Sequence, residues 1–383
     1  VEFCTEKLKD TIRKNMELFI NIRRDLNKLA ELSYEEYKTQ KYITERLSEW
    51  GIENFPIAKT GVIGIINRSE ECIGIRSDMD AILVEGQPRH CCGHDFHMAV
   101  VLGTAKVLVD IGFEGCVKFI FQPAEEGPGG AKRVIEESGL ENPKVTRLLG
   151  FHVWPGVDVG TIEVSSGAIM ASVDDFEIEF IGKGGHAAMP EVTKNPIYPA
   201  TDFIQSANNF FCAFSNKLLP FHVSFSSISS GQTFNVISER CKIRGTVRTF
   251  DSSLQEFIYN NIKKLTKLSA QKYNCHVNIN YYFQYPPLIN SYQATEEFLD
   301  VAKKLLGPEN VKKAIPSFTA EDFAFYCQKV PSVYFRLGIK EKGKGENPLH
   351  SPHFDASENS LFYGILILAG YLTEHSARSL HLL

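Results

Sequence analysis

Val117-Lys118-Phe119-Ile120-Phe121-Gln122-Pro123-Ala124-Glu125-Glu126-Gly127 is an aromatic and β-branched run that stops at a proline and two adjacent carboxylates. Its apolar half has the length and composition of a buried strand. Its polar half sets ligand-type residues where that strand ends, which is where open α/β sheets build their sites. The same order of residues recurs. Val145-Thr146-Arg147-Leu148-Leu149 leads into Gly150-Phe151-His152-Val153-Trp154-Pro155, and Cys72-Ile73-Gly74-Ile75-Arg76-Ser77-Asp78-Met79-Asp80 closes on a carboxylate pair. Helices are predicted between these strands: two before Gly51, from the spacing of Ile12, Met16, Phe19 and Ile20 and of Tyr42, Ile43 and Leu47, then others over 98–110 and 130–138. Helices alternating with near-continuous apolar strands predict an α/β fold with a mostly parallel sheet covered by helices.

From Ser172 the pattern changes to alternation, with Val173, Phe176, Ile178 and Phe180 on a strand. A helix over 196–214 follows, then strands over 221–229 and 241–249, a helix over 254–270 and a strand over 276–282. That β-α-β-β-α-β order is ferredoxin-like. The expected organisation is therefore an inserted α+β lid and dimerisation domain at 172–285 within a discontinuous catalytic domain formed by 1–171 plus 286–383.

The densest chemistry lies in His90-Cys91-Cys92-Gly93-His94-Asp95-Phe96-His97. Thiolate and imidazole hold zinc and its transition-metal neighbours, and carboxylates orient ligating imidazoles. A metal site is one reading; buried thiols in a core are the other, since free cysteine is among the most buried residue types. With 383 residues, 43% hydrophobic content and a net charge of -5, the chain can hold two cores and offers no broad basic field for nucleic acid or anionic membrane. No apolar run nears the ~20 residues that span a bilayer. Nine scattered cysteines, two of them adjacent, read as reduced thiols. A soluble, cytoplasmic protein is expected.

Arg76-Ser77-Asp78-Met79-Asp80-Ala81, Cys92-Gly93-His94-Asp95, Pro123-Ala124-Glu125-Glu126-Gly127, Gly182-Lys183-Gly184-Gly185-His186-Ala187-Ala188-Met189-Pro190, Asn235-Val236-Ile237, Gly245-Thr246-Val247-Arg248-Thr249-Phe250, Glu321-Asp322-Phe323 and Leu349-His350-Ser351-Pro352 together resemble the amidohydrolase branch of the aminoacylase-like dinuclear metallopeptidases. Hippurate hydrolases, indoleacetyl-amino-acid hydrolases and N-acetyldiaminopimelate deacetylases belong to that branch. The resemblance implies two divalent metal ions per subunit, zinc or else manganese, cobalt or nickel, held by Cys92, His94, Glu126, His152 and His350. It implies Glu125 as general base and His186 as an oxyanion donor reaching the site across a homodimer formed through the insert. Asp78 and Asp80 would orient the ligating histidines, and Asn235 and Arg248 would face the substrate carboxylate. The implied reaction is hydrolysis of the amide of a small N-acyl amino acid by metal-activated water. A dipeptidase or carboxypeptidase using the same chemistry is the alternative, and a binding homologue without catalysis is a third reading. A cysteine nucleophile at Cys91 or Cys92 would leave Glu126, His152 and His350 unexplained.

The chain departs from the family pattern at several places. Asn27 stands where a histidine is usual, Ala30 where a proline is, Cys91 where a small residue is, and Thr319-Ala320 where a Gly-Ser pair is. Glu191 and Asn195 replace a histidine and an aspartate, and the connection 83–89 is short. His97, His222, His276, His353, His375 and His381 carry no motif and are expected at the surface or in helix packing.

Overall fold

Eight strands form the larger sheet in the computed structural model, which describes residues 2–214 and 220–380. Their order is Glu53–Ile57, Gly61–Ile66, Val117–Gln122, Glu71–Asp78, Lys144–Asp158, Ser332–Lys340, Ile162–Glu163 and Val311–Lys312. The four central strands, from Val117–Gln122 to Ser332–Lys340, run parallel, and the first two join antiparallel. Every residue of Val117–Gln122 is buried, as expected of a strand covered on both faces, and the one charged side chain in it, Lys118, donates to the Gly139, Glu141 and Pro143 carbonyls. The expected mostly parallel α/β sheet is therefore present.

The chain divides into two compact units, one of residues 1–167, 289–315 and 325–383, the other of residues 168–288 and 316–324. In the first, the helix His94–Ile111 packs on the strands Glu71–Asp78 and Lys144–Asp158 and against the helices Glu2–Lys28 and Ser360–Leu380. Phe19, Leu26, Leu102, Phe119 and Leu361 are fully buried in that core. Each such side chain contributes about 1.5–3 kcal/mol relative to exposure. The helix begins at His94, four residues before the predicted start, because Gly93 ends the preceding turn at φ 84°. A Cβ there would meet Val153 Cγ2 at 2.3 Å, so glycine is required on both counts.

The second unit has a four-stranded antiparallel sheet in the order Phe221–Ser230, Arg240–Thr249, Val173–Ile181 and His276–Tyr285. Helices Ile197–Phe214 and Ser252–Lys272 connect its strands, giving the β-α-β-β-α-β order expected from the sequence. Burial alternates strictly along Val173–Ile181, and Phe176, Ile178 and Phe180 face Phe203, Phe211, Ile258 and Ile262 in one core. Asp251 caps the second helix by accepting from Leu254 N at 2.7 Å. A separate two-residue pairing joins Gly185–His186 to Val236–Ile237. His381 lies outside the described residues.

Candidate active site and metal centre

The strand ends of the first unit converge as their sequence suggested. Glu71–Asp78 delivers Asp78 and, just beyond it, Asp80; Val117–Gln122 delivers Glu125 and Glu126; Lys144–Asp158 carries His152. The first turn of His94–Ile111 contributes His94 and His97, with Cys92 immediately before it. His350 comes from a loop and sits at φ 64°, its backbone N–H bonded to Cys91 O at 2.9 Å. Ala124, at φ 57°, bends the chain so that Glu125 and Glu126 diverge. Two non-glycine residues with left-handed backbone at one site mark strain held by the surroundings.

The histidine tautomers follow from their partners. His97 Nε2 accepts from Val153 N at 2.9 Å, so its Nδ1 proton goes to Asp78 Oδ1 at 2.6 Å. His152 Nδ1 donates to Val153 O at 2.6 Å, leaving Nε2 to face Cys92 Sγ at 3.4 Å. His94 Nδ1 faces Asp80 Oδ1 at 3.4 Å, leaving Nε2 to face Glu126 Oε1 at 3.8 Å. His350 Nε2 lies 3.1 Å from the same oxygen. Asp80 accepts from both Glu125 N at 3.1 Å and Glu126 N at 2.9 Å, and from Ser33 Oγ at 2.6 Å. One carboxylate thus fixes the turn that aims both glutamates.

Two overlapping donor sets result, Cys92–His94–His152 and Cys92–Glu126–His350, joined through a third, His94–Glu125–Glu126. Ligands about 2.0–2.3 Å from a tetrahedral ion lie roughly 3.3–3.8 Å apart. The 3.4 and 3.8 Å separations fall in that range. His94 Nε2 is buried without a hydrogen-bond partner, and Glu126 Oε1 has the His350 imidazole at 3.1 Å. These residues fit a pair of divalent cations.

The electrostatics agree. Burial raises the Asp78 carboxyl, but His94, His97 and Arg76 outweigh it and hold it well below its ordinary range. Burial lowers His94, yet Asp78, Asp80 and Glu126 push it up to about 10. Burial raises the Cys92 thiol well above its usual value, and Glu126 and Glu125 add to the rise. Burial holds His152 down to about 3, so it is neutral and ready to ligate. The cluster is short of positive charge.

Three residues escaped the sequence reading. His97 is no helix-packing histidine: it bonds Asp78 and stacks within 5.3 Å of the His94 ring, and its i+3 spacing from His94 on one helix face was the available signal. Asn27, where a histidine is usual, donates to Asp95 Oδ2 at 2.9 Å. Glu36, fully buried, accepts from Ala124 N at 2.9 Å and Thr60 Oγ1 at 2.5 Å and so holds the strained turn. Nothing in the neighbouring sequence distinguishes it from Glu35.

In the second unit, exposed His186 accepts from Ala188 N at 3.1 Å through Nδ1. It pairs across to Val236, and Ala187 N donates to Asn235 O at 2.9 Å, so the His186 and Asn235 segments adjoin. Arg248 is half-buried, donating to Thr246 Oγ1 and, at 3.0 Å, to Val247 O.

Residues 74–374 match the family described as peptidase family M20/M25/M40. The chain is 32% identical over 372 residues to an N-acetyldiaminopimelate deacetylase of Anoxybacillus flavithermus, covering 93% of this chain and 97% of that one. It is 32% identical over 391 residues to an IAA-amino acid hydrolase of Arabidopsis thaliana, covering 95% and 88%. A solved Bacillus subtilis structure, a dinuclear metal-binding peptidase of the M20 family, superposes with a TM-score of 0.82 at 31% identity, covering 95% of this chain and 99% of that one. The expected class, an enzyme hydrolysing amides of N-acyl amino acids with a pair of divalent metals, agrees with these relatives. The chain belongs to peptidase family M20/M25/M40.

Proposed function

We propose that this protein hydrolyses the amide bond of N-acyl amino acids, with Cys92, His94, Glu126, His152 and His350 holding two divalent cations and Glu125 acting as general base. The observation that carries the reading is the Asp80 grip on two successive backbone amides. It points Glu126 to His350 and Cys92 while Glu125 stays beside His94, separating a ligating carboxylate from a proton-accepting one. Bound cations would supply acidity to a water and neutralise charge growing on the acyl oxygen. Glu125 takes the proton of the attacking water and passes it to the amine nitrogen as the C–N bond breaks. Asp80, Asp78 and the Val153 carbonyl keep the ligating imidazoles in one tautomer throughout. A donor set of one sulfur, three imidazoles and a carboxylate suits zinc, with manganese, cobalt and nickel as alternatives.

The residues of the second unit have the roles implied by the family: His186 donating to the oxyanion, Asn235 and Arg248 receiving the substrate carboxylate, and the insert at 172–285 serving as lid and dimerisation domain. Exposed Met189, Val192, Phe234 and Val236 gather around the His186 segment, an apolar surface suited to a second copy of the chain. No helix among the described residues is long and apolar enough to cross a membrane, and a cytoplasmic enzyme without nucleic-acid partners is our reading. The test is turnover by metal-loaded protein of N-acetyl, N-benzoyl and N-indoleacetyl amino acids beside unblocked dipeptides. Faster hydrolysis of the dipeptides would move the assignment to a peptidase.

A further inference from the structure

The far end of the central parallel sheet holds a second reactive cluster. Ile73 stands in register with Val117 and its N–H donates to Cys116 O at 3.4 Å, so Cys72 and Cys116, the latter just before its strand begins, are neighbours at one end of the parallel pair. The two thiols are close enough to shift each other's titration in opposite directions. Adjacent strands lie about 4.8 Å apart, within the roughly 4.4–6.8 Å between Cα atoms that a disulfide spans. Both cysteines line a cavity of about 250 Å³ together with Ser69, Glu71, Phe113 and His375. Cys72 to Asp78 is six residues of strand, about 20 Å, which places this cavity away from the metal cluster.

The two thiols are unlike. Cys116 is half-buried, and the neighbouring Cys72 thiol, opposed by burial and helped by Ser69 and Lys118, lowers it to about 6. Cys72 is buried, raised by its Cys116 neighbour and by burial, and its S–H donates to Pro143 O at 3.8 Å. A reactive, reachable thiolate backed by a protonated partner is the arrangement of a dithiol that attacks and then resolves.

We propose that Cys72 and Cys116 form a modification site for small-molecule disulfides of the glutathione class. The Cys116 thiolate attacks one sulfur of the small disulfide, forming a mixed disulfide and releasing one thiolate. Cys72 then gives up its proton and attacks Cys116 Sγ, expelling the second thiol. Two protein thiols are oxidised and one small disulfide is reduced to two thiols. The resulting link closes the segment 72–116, which carries Asp78, Asp80, Cys92 and His94, and constrains the unfolded chain.

Metal-loaded protein treated with oxidised glutathione, then digested without reductant and analysed by mass spectrometry, tests this. The expected product is a Cys72–Cys116 linked peptide, with a raised thermal midpoint that reverses on reduction. Cys72→Ser should trap glutathione on Cys116, whereas Cys116→Ser should leave residue 72 unmodified. Brief alkylation of the unaltered protein at neutral pH should label Cys116 at least tenfold faster than exposed Cys212. A glutathione adduct that persists on Cys116 with Cys72 intact, or equal labelling of Cys116 and Cys212, overturns the proposal.

Discussion

The two larger sheets of this molecule use burial differently. In the first unit the central strands are buried on both faces, so their only outlet for chemistry is the strand end, and acids, imidazoles and a thiol crowd there. In the second unit the sheet is covered on one face, and along Val173–Ile181 alternate residues such as Glu177 and Glu179 pair with Arg244, Lys242 and Arg240 at the surface. A doubly covered sheet concentrates polar groups at a point, whereas a singly covered one spreads them over a face. The first arrangement makes perturbed, catalytically useful groups; the second makes a soluble surface with few of them.

The comparison breaks if chemistry does not depend on the strand-end cluster. Glu125→Gln keeps the shape of the side chain and removes the base, so turnover should fall by about 10²- to 10⁴-fold while metal content is unchanged. Parental turnover in a verified variant would remove Glu125 from catalysis. Cys92→Ala should lose at least one metal equivalent, but Cys91→Ala should not, because only Cys92 belongs to the donor sets. Atomic absorption on both variants decides it, and equal contents would exclude Cys92 as ligand.

Metal binding at this cluster should depend on pH. Cations compete with protons that His94 and Cys92 hold at neutrality, since both groups are raised. Binding must expel those protons, so affinity should fall by about tenfold per pH unit for each proton released as the medium is acidified. Metal titrations at pH 6, 7 and 8 measure the slope. A flat profile would mean that neither group ligates. For the second unit, His186→Ala should reduce kcat by about 10²- to 10³-fold, the usual loss for an oxyanion donor, with metal content intact. If the histidine is supplied in trans, mixing His186→Ala with Glu125→Gln subunits should restore activity in heterodimers; no recovery after demonstrated subunit exchange would reject that arrangement.

Much of this was legible because hydrophobic period and ligand chemistry are local signals. The strand at Val117–Gln122 and its glutamates are contiguous in sequence, and so are Cys92 and His94. The alternation of Phe176, Ile178 and Phe180 likewise gave the second sheet without reference to anything distant. What escaped was long-range. Glu36 acts on Ala124, Asn27 acts on Asp95, and the Cys72–Cys116 pair exists only because two strands lie side by side in one register. No spacing rule reaches across such separations. The helix start at His94 was missed for a different reason: the positive φ of Gly93 is a backbone fact that composition alone does not reveal.

The smallest expected effect comes from a strongly perturbed carboxyl in the second unit's core. Asp174 is fully buried, accepting from Gln255 Nε2 at 2.6 Å and Tyr281 Oη at 2.8 Å. Burial raises its pKa to about 6 despite both hydrogen bonds. A carboxyl raised on folding contributes its stability below its unfolded value, near 4, and loses it as pH rises through about 6. Asn at this position keeps an acceptor for Gln255 and offers an N–H to the Tyr281 oxygen without ever carrying charge. Asp174→Asn should therefore gain on the parent protein as pH increases from 4 to 7, by about 2 kcal/mol, with metal content and kcat unchanged. Chemical denaturation of both proteins across that range measures the difference. A gap that stays constant with pH would show that Asp174 titrates alike in folded and unfolded chains, and that the second unit holds no strained carboxyl to set beside those of the first.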